Sequence, residues 1–283
     1  MAEMLDNTLD PQNTTEAYQA TQYFLRRRLP PSLYYKFRTF SRQYPLLFLP
    51  FARWRWERWR KRYCPETSGP EPAAPQPLMP DSEIVIEGFP RTANTFTHIA
   101  FKIAQPRPVK IAHHTHAAAQ VIAGARKGLP TIVLIRAPEE AVISYLIGEF
   151  DREITMRQVL HDYIAFYKPI LPYQDRFVLA PFEEITQDYG QIIRRVNEKF
   201  GANFAEFEHT PENVQQCFAM IDEGYMQSFG TLKETVVSRP SESRKSQQAA
   251  LKDEFYSEPL KSLRTQACSI YETLMNQAKP TVQ

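Results

Sequence analysis

Residues 83–101, EIVIEGFPRTANTFTHIAF, read as a strand, a tight turn and a helix. Ile84, Val85 and Ile86 form an apolar, β-branched run, Gly88 and Pro90 interrupt it, and Phe96, Ile99, Ala100 and Ile103 then recur at helical spacing. A helix that starts from such a turn leaves its first backbone N–H groups without intrahelical acceptors. Arg91, Thr92, Asn94 and Thr95 set a fixed charge and side-chain donors beside those groups. The turn therefore suits an anion, with phosphate the first candidate.

Downstream, strand and helix patterns alternate. Residues 108–112 are a short strand candidate, 116–127 a helix, and 131–135 (TIVLI) a continuous apolar strand of the kind buried in parallel sheets. Pro138 stands in the first turn of a helix expected to run through 150. Further helices are expected over 155–171, 182–200 (closed by Gly201) and 212–225, with a strand over 176–179. This order predicts an α/β fold, three-layer α/β/α with a mainly parallel central sheet, whose ligands bind at the carboxyl ends of the strands. No internal repeat is present.

Upstream, the chain changes character. A helix is expected over 15–29, with Asn13 or Thr14 as its cap and Pro30 and Pro31 ending it; Leu33, Tyr34, Phe37, Phe40 and Tyr44 then mark a second. Residues 45–63 hold all three tryptophans, and Trp56, Trp59 and Tyr63 recur at helical spacing among Arg53, Arg55, Arg58, Arg60, Lys61 and Arg62. Such a stretch suits a headgroup layer, with rings at the boundary and cations on anionic lipid, and the expected membrane-facing segment is residues 34–63. Packing of the same rings on the main domain, or on a second copy in a homodimer, is the competing expectation. Nucleic acid is not expected, because no reader motif accompanies the charge. Residues 64–80 carry six prolines and read as a linker. The expected organisation is thus a helical basic and aromatic segment (1–63), a linker (64–80) and an α/β domain (81–283).

The 283 residues are 43% hydrophobic, enough for one large core, and the net charge of +2 conceals the basic excess of residues 26–62, where Glu57 is the sole acid. Cys64, Cys217 and Cys268 are odd in number and form no CxxC pair, which argues against a disulfide framework and fits a cytoplasmic protein, with the cytoplasmic face of a membrane as a further expectation. The acidic N-terminus, MAEMLDNTLDPQ, lacks the pattern of a secretory signal, and no apolar run has the length of a membrane span.

Two further features complete the candidate site. Arg136 follows the apolar strand 131–135, and Ser144 lies eight positions later. A parallel sheet delivers both strand ends to one edge, so Arg136 and the Arg91 turn can face the same molecule, and the planar guanidinium fork suits phosphate. The turn has no second glycine and no lysine, and the later strand ends in Arg rather than Asp, which disfavours a magnesium-dependent nucleotide hydrolase. His113, His114 and His116 form a cluster, but neighbouring strand residues point apart and no cysteine or spaced acid accompanies them, so no metal is expected. A histidine beside an anionic leaving group is better placed as a general base.

With these residues in view, the chain resembles the PAPS-dependent sulfotransferase family over roughly residues 83–245. Residues 89–96 (FPRTANTF) resemble its 5'-phosphosulfate loop, and 132–145 resemble its 3'-phosphate motif. Thr115-His116 is similar to the pair that carries the catalytic base, residues 177–185 are similar to a later strand with an aromatic near the adenine, and Ser243-Arg-Lys-Ser246 is similar to the loop that closes over the 3'-phosphate. The resemblance implies donor contacts from Arg91, Thr92, Ala93, Asn94, Thr95, Phe96, Arg136, Ser144, Phe182, Arg244 and Lys245, with catalysis by His116 and Arg91. The co-substrate would be PAPS, with no metal, and the acceptor a hydroxyl or amine of a glycan, lipid or small molecule. His114 is the reserve base, and His113 is expected to face the core. Ala93 stands where the family has glycine, and Ser246 stands where it has another. The alternatives are a kinase-like phosphotransferase and a membrane-peripheral protein that binds a ligand without turnover.

Overall fold

The quoted strand is the centre of a four-stranded parallel sheet. In the computed structural model, which describes residues 30–63, 75–148, 154–229 and 245–278, strand β1 (Ile84–Gly88) pairs with β2 (Ile111–His113) on one side and β3 (Thr131–Ile135) on the other. Strand β4 (Val178–Pro181) continues from β3, giving the order β2-β1-β3-β4. Side chains alternate between the faces. Ile84, Ile86, Ile132 and Leu134 enter one core, Val133 and Ile135 the other. Both faces are covered, which is why the strands are largely apolar.

Behind the first face lie α3 (Asn94–Ala104), α8 (Tyr189–Phe200) and α9 (Pro211–Phe229). The second face carries α4 (Ala118–Lys127), α5 (Pro138–Gly148), α6 (Met156–Tyr167), α10 (Lys245–Tyr256) and α11 (Lys261–Ala278). The expected three-layer parallel α/β architecture is the one observed.

Boundaries shift where local chemistry overrides periodicity. The second strand runs later than expected and includes His113, and α4 starts at Ala118 because His116 adopts a left-handed conformation (φ 49) that no helix admits. The helix expected over 182–200 is two, α7 (Phe182–Gln187) and α8, because extended Asp188 ends one and caps the other through the Gln191 N–H. Past Tyr167, Pro169 and Pro172 turn the chain into a 3-10 stretch, Lys168–Arg176.

The N-terminal helices α1 (Pro31–Ser41) and α2 (Pro45–Tyr63) pack on this body. Leu49, Ala52, Trp56 and Trp59, spaced by three and four, form the buried stripe of α2. Asp162 of α6 accepts hydrogen bonds from Arg38 and from Thr39 Oγ1 (2.6 Å), and the Tyr35 hydroxyl donates to Gln158 O (2.6 Å). Within the stretch read as linker, Gln76 exchanges two backbone hydrogen bonds with His113 and so covers the outer edge of β2, while Leu78 is fully buried. The expected helix over 15–29 lies outside the described residues.

Candidate functional site

The β1–α3 turn is held from several directions. A Cβ on Gly88 would sit 2.5 Å from Thr92 Oγ1 and 2.8 Å from Leu134 Cβ, so only glycine fits. Thr92 Oγ1 (2.7 Å) and Asn94 Nδ2 (2.9 Å) both donate to Phe89 O, which folds these two side chains into the turn. Arg91 and Ala93 are left-handed, each with φ 69, and Ala93 starts α3 with no side-chain cap. The first N–H groups of α3 thereby face the carboxyl edge of the sheet. Tyr167, fully buried on α6, donates to Leu134 O (2.8 Å) and accepts from Phe89 N (3.4 Å); Tyr163, one helical turn earlier, donates to Arg136 O (2.9 Å). One helix thus clamps the turn to the end of β3.

Four of the expected residues meet at this edge. Arg91 Nε donates to Ser144 Oγ (3.2 Å), and Arg136 Nη1 reaches the Arg91 carbonyl (3.4 Å). The Arg136 guanidinium lies 4.0 Å from the centre of the Phe182 ring, because Ile135 and Pro181 are paired in register and the next residues follow side by side. Glu140 accepts from Arg136 Nε (2.9 Å). Other expected residues are placed differently. Phe96 is in the core against Phe207 and Phe218, and Thr92 and Asn94 spend their side chains inside the turn. Lys245 opens α10, and Arg244 lies outside the described residues.

His116 stands across from the turn. Its Nδ1 is 2.7 Å from Gly88 O, so that nitrogen carries the proton and donates, leaving the lone pair on Nε2. Burial, with the nearby His114 and Arg42, pushes its pKa down to about 3, so the ring is neutral at ordinary pH. Glu87, at the end of β1 and fully buried, accepts from Thr115 N and Oγ1, Gln120 Nε2, His116 N and Gly88 N. Burial still raises its pKa to about 7. Its carboxylate lies 3.7 Å from His116 Nδ1. The histidine borders a cleft walled by Thr39, Arg42, Phe89, Pro90, Tyr145, Asp162 and Phe166, with a cavity of about 30 Å³, room for one or two waters and hence for a reacting group rather than a whole ligand.

Of the other two expected histidines, His113 is buried as expected, and His114 turns its Nε2 to Thr95 Oγ1 (3.3 Å), away from the cleft. Sequence reading missed His98, whose ring stacks on His113 with centroids 3.8 Å apart. It also missed Glu87, Tyr163 and Tyr167. A carboxylate ending an otherwise apolar strand was the available signal for Glu87.

No family model matches the chain, and no curated protein matches its sequence. Among solved structures it is similar to mouse sulfotransferase SULT7A1 complexed with PAP, at 10% identity and a TM-score of 0.37, covering 71% of this chain and 90% of that one.

Proposed function

We propose that the chain moves a sulfuryl group from PAPS to a hydroxyl or amine of a glycan, lipid or small metabolite, releasing PAP. The observation that supports this reading best is the setting of His116. Its Nδ1 is pinned to the carbonyl that begins the anion-binding turn, which leaves Nε2 as a base beside the residues suited to the donor. In the transfer, the acceptor's O–H or N–H passes its proton to His116 Nε2 as its oxygen or nitrogen bonds to sulfur. The bond from sulfur to the bridging oxygen breaks, and the electron pair leaves on the phosphate of PAP. Arg91 and the first N–H groups of α3 stabilise the charge that builds there; an arginine cannot readily give up a proton, so its role is electrostatic. Arg136 and Ser144 take the 3'-phosphate and Phe182 flanks the adenine, as the family resemblance implies. Donor phosphates raise the depressed pKa of His116, which brings the base toward its working range as the site fills.

Replacing His116 by Ala should lower turnover by about 10²- to 10⁴-fold with PAP affinity nearly unchanged. Unaltered turnover removes His116 from the mechanism. Arg136→Ala should instead weaken PAP binding, and unchanged affinity overturns the 3'-phosphate assignment.

A second element of the proposal is attachment to an anionic membrane surface through α1 and α2. Among the described residues, eight of the eleven large exposed hydrophobics fall between residues 33 and 54, with Leu46 the most exposed of them at 87%. On α2, Leu47, Phe51 and Trp54 lie opposite the buried tryptophan stripe, α1 adds Leu33, Phe37 and Phe40, and Lys36, Arg58, Arg60 and Lys61 are also exposed. No described helix is long and apolar enough to cross a membrane. The cleft beside His116 is walled in part by Thr39 and Arg42, so an acceptor met at that surface is close to the base. The full chain should float with phosphatidylserine-containing vesicles, and Leu46→Glu with Leu47→Glu should release it. Continued flotation of that variant, or a concentration-dependent dimer with no vesicle binding, overturns the assignment.

A further inference from the structure

His98, His113 and His114 lie beside the proposed donor turn and have no part in the transfer chemistry above. His98 comes from the second turn of α3, His113 ends β2, and His114 follows it in a left-handed conformation (φ 56) that turns its ring back over its neighbour. One ring nitrogen from each lies within 4.8 Å of the other two. The Nδ1 atoms of His113 and His114 are 2.8 Å apart, and His98 Nε2 is buried with no hydrogen-bond partner. A buried ring nitrogen left without a partner is destabilising, and apolar residues of similar size would fill the space without that cost.

The geometry points to a three-histidine site for a borderline divalent cation, Zn²⁺ foremost, formed by His98, His113 and His114. Imidazole is the ligand type that suits Zn²⁺ and Cu²⁺, and three histidines with an open fourth position are an established zinc arrangement. His114 also has the outer contact that such ligands show: its Nε2 faces Thr95 Oγ1, so an N–H there donates to the hydroxyl and Nδ1 is left as the lone pair on the metal side. In the metal-free cluster that lone pair meets the Nδ1 of His113, where one proton must lie between the two nitrogens. A cation replaces that proton and gives the His98 nitrogen its partner. Neutral imidazole is the form a metal requires. At a metal–nitrogen distance near 2.0–2.1 Å, tetrahedral ligands sit about 3.4 Å apart, so His113 and His114 must open slightly. The stacked rings of His98 and His113, 23° from parallel, must also turn to converge. The ion would join the donor-turn helix to the end of β2 and leave a coordination position for water. This site stands apart from the transfer reading, since none of its three ligands has a role there.

The test is titration of untagged, chelator-stripped full chain with ZnSO₄ by calorimetry, and with Co²⁺ by visible absorption. One ion per chain with sub-micromolar affinity, a tetrahedral Co²⁺ spectrum and a raised Tm are expected. His98→Phe should weaken binding by more than about a hundredfold, while His161→Ala, at an exposed position on α6, should leave it unchanged. His98→Gln serves the same purpose if the phenylalanine variant fails to fold. Absence of binding, or equal affinity and stoichiometry in a folded His98 variant, overturns the site. Because the readout needs no turnover, its failure and the failure of the sulfuryl-transfer reading are distinguishable.

Discussion

Removing one oxygen atom, in Tyr167→Phe, tests how the β1–α3 turn is held. The hydroxyl donates to Leu134 O at 2.8 Å and accepts from Phe89 N at 3.4 Å, and no part of the side chain reaches solvent. Burial holds its pKa well above the usual tyrosine value, so it remains a donor at any working pH. Phenylalanine preserves the ring contacts with Tyr163 and Phe166, so the change isolates what the hydroxyl itself contributes. A buried amide left unpaired costs about 1–3 kcal/mol, and the longer of the two bonds is weak, which places the expected loss near 2 kcal/mol. Urea unfolding monitored by circular dichroism should show a lower midpoint with an unchanged slope. Since Phe89 begins the turn, PAP affinity should fall several-fold as well. A loss below about 0.5 kcal/mol would show that the tyrosine packs against the turn without fixing it.

Two other outcomes concern Glu87 and Ala93, on either side of Phe89 in the chain. The pKa of Glu87 is raised from 4.5 to about 7 in the folded chain, so its contribution to stability is complete at low pH and declines as pH rises through 7. Between about pH 6 and about pH 8.5, the stability of the protein relative to Glu87→Gln should therefore fall by about 1.4 kcal/mol; parallel curves would contradict the buried carboxyl. Ala93 carries its Cβ at φ 69, which costs about 1–2 kcal/mol, partly offset in Ala93→Gly by the freer unfolded chain. That substitution should stabilise the protein by about 0.5–1 kcal/mol in the same unfolding assay, and destabilisation would refute the strain.

The sheet and its order of elements were legible because burial on both faces leaves apolar β-branched runs, as in TIVLI, that few other settings produce. The meeting of Arg91 and Arg136 was legible for a related reason: parallel strands end at one edge, so residues just past each end become neighbours, whereas the places of Ser144 and Phe182 came from the family resemblance. Inward-turned side chains were not legible. Thr92 and Asn94 have the donors a phosphate needs, but left-handed Arg91 and Ala93 curl the turn so that both bond Phe89 O. The histidine trio was hidden because His98 is 15 positions from His113 and reaches it only through the packing of α3 beside β2. The inner face of α2 was ambiguous in sequence because tryptophans suit lipid and protein alike; Trp56 and Trp59 are buried, while Trp54 is exposed.

The most direct measurement is calorimetric titration of the full chain with PAP, compared with ADP and with ATP plus magnesium. Micromolar PAP binding without added magnesium, lost when the 3'-phosphate is absent and weakened by Arg136→Ala, is the expected result. Preference for ATP with magnesium, or no binding of PAP, would contradict sulfuryl transfer at this site.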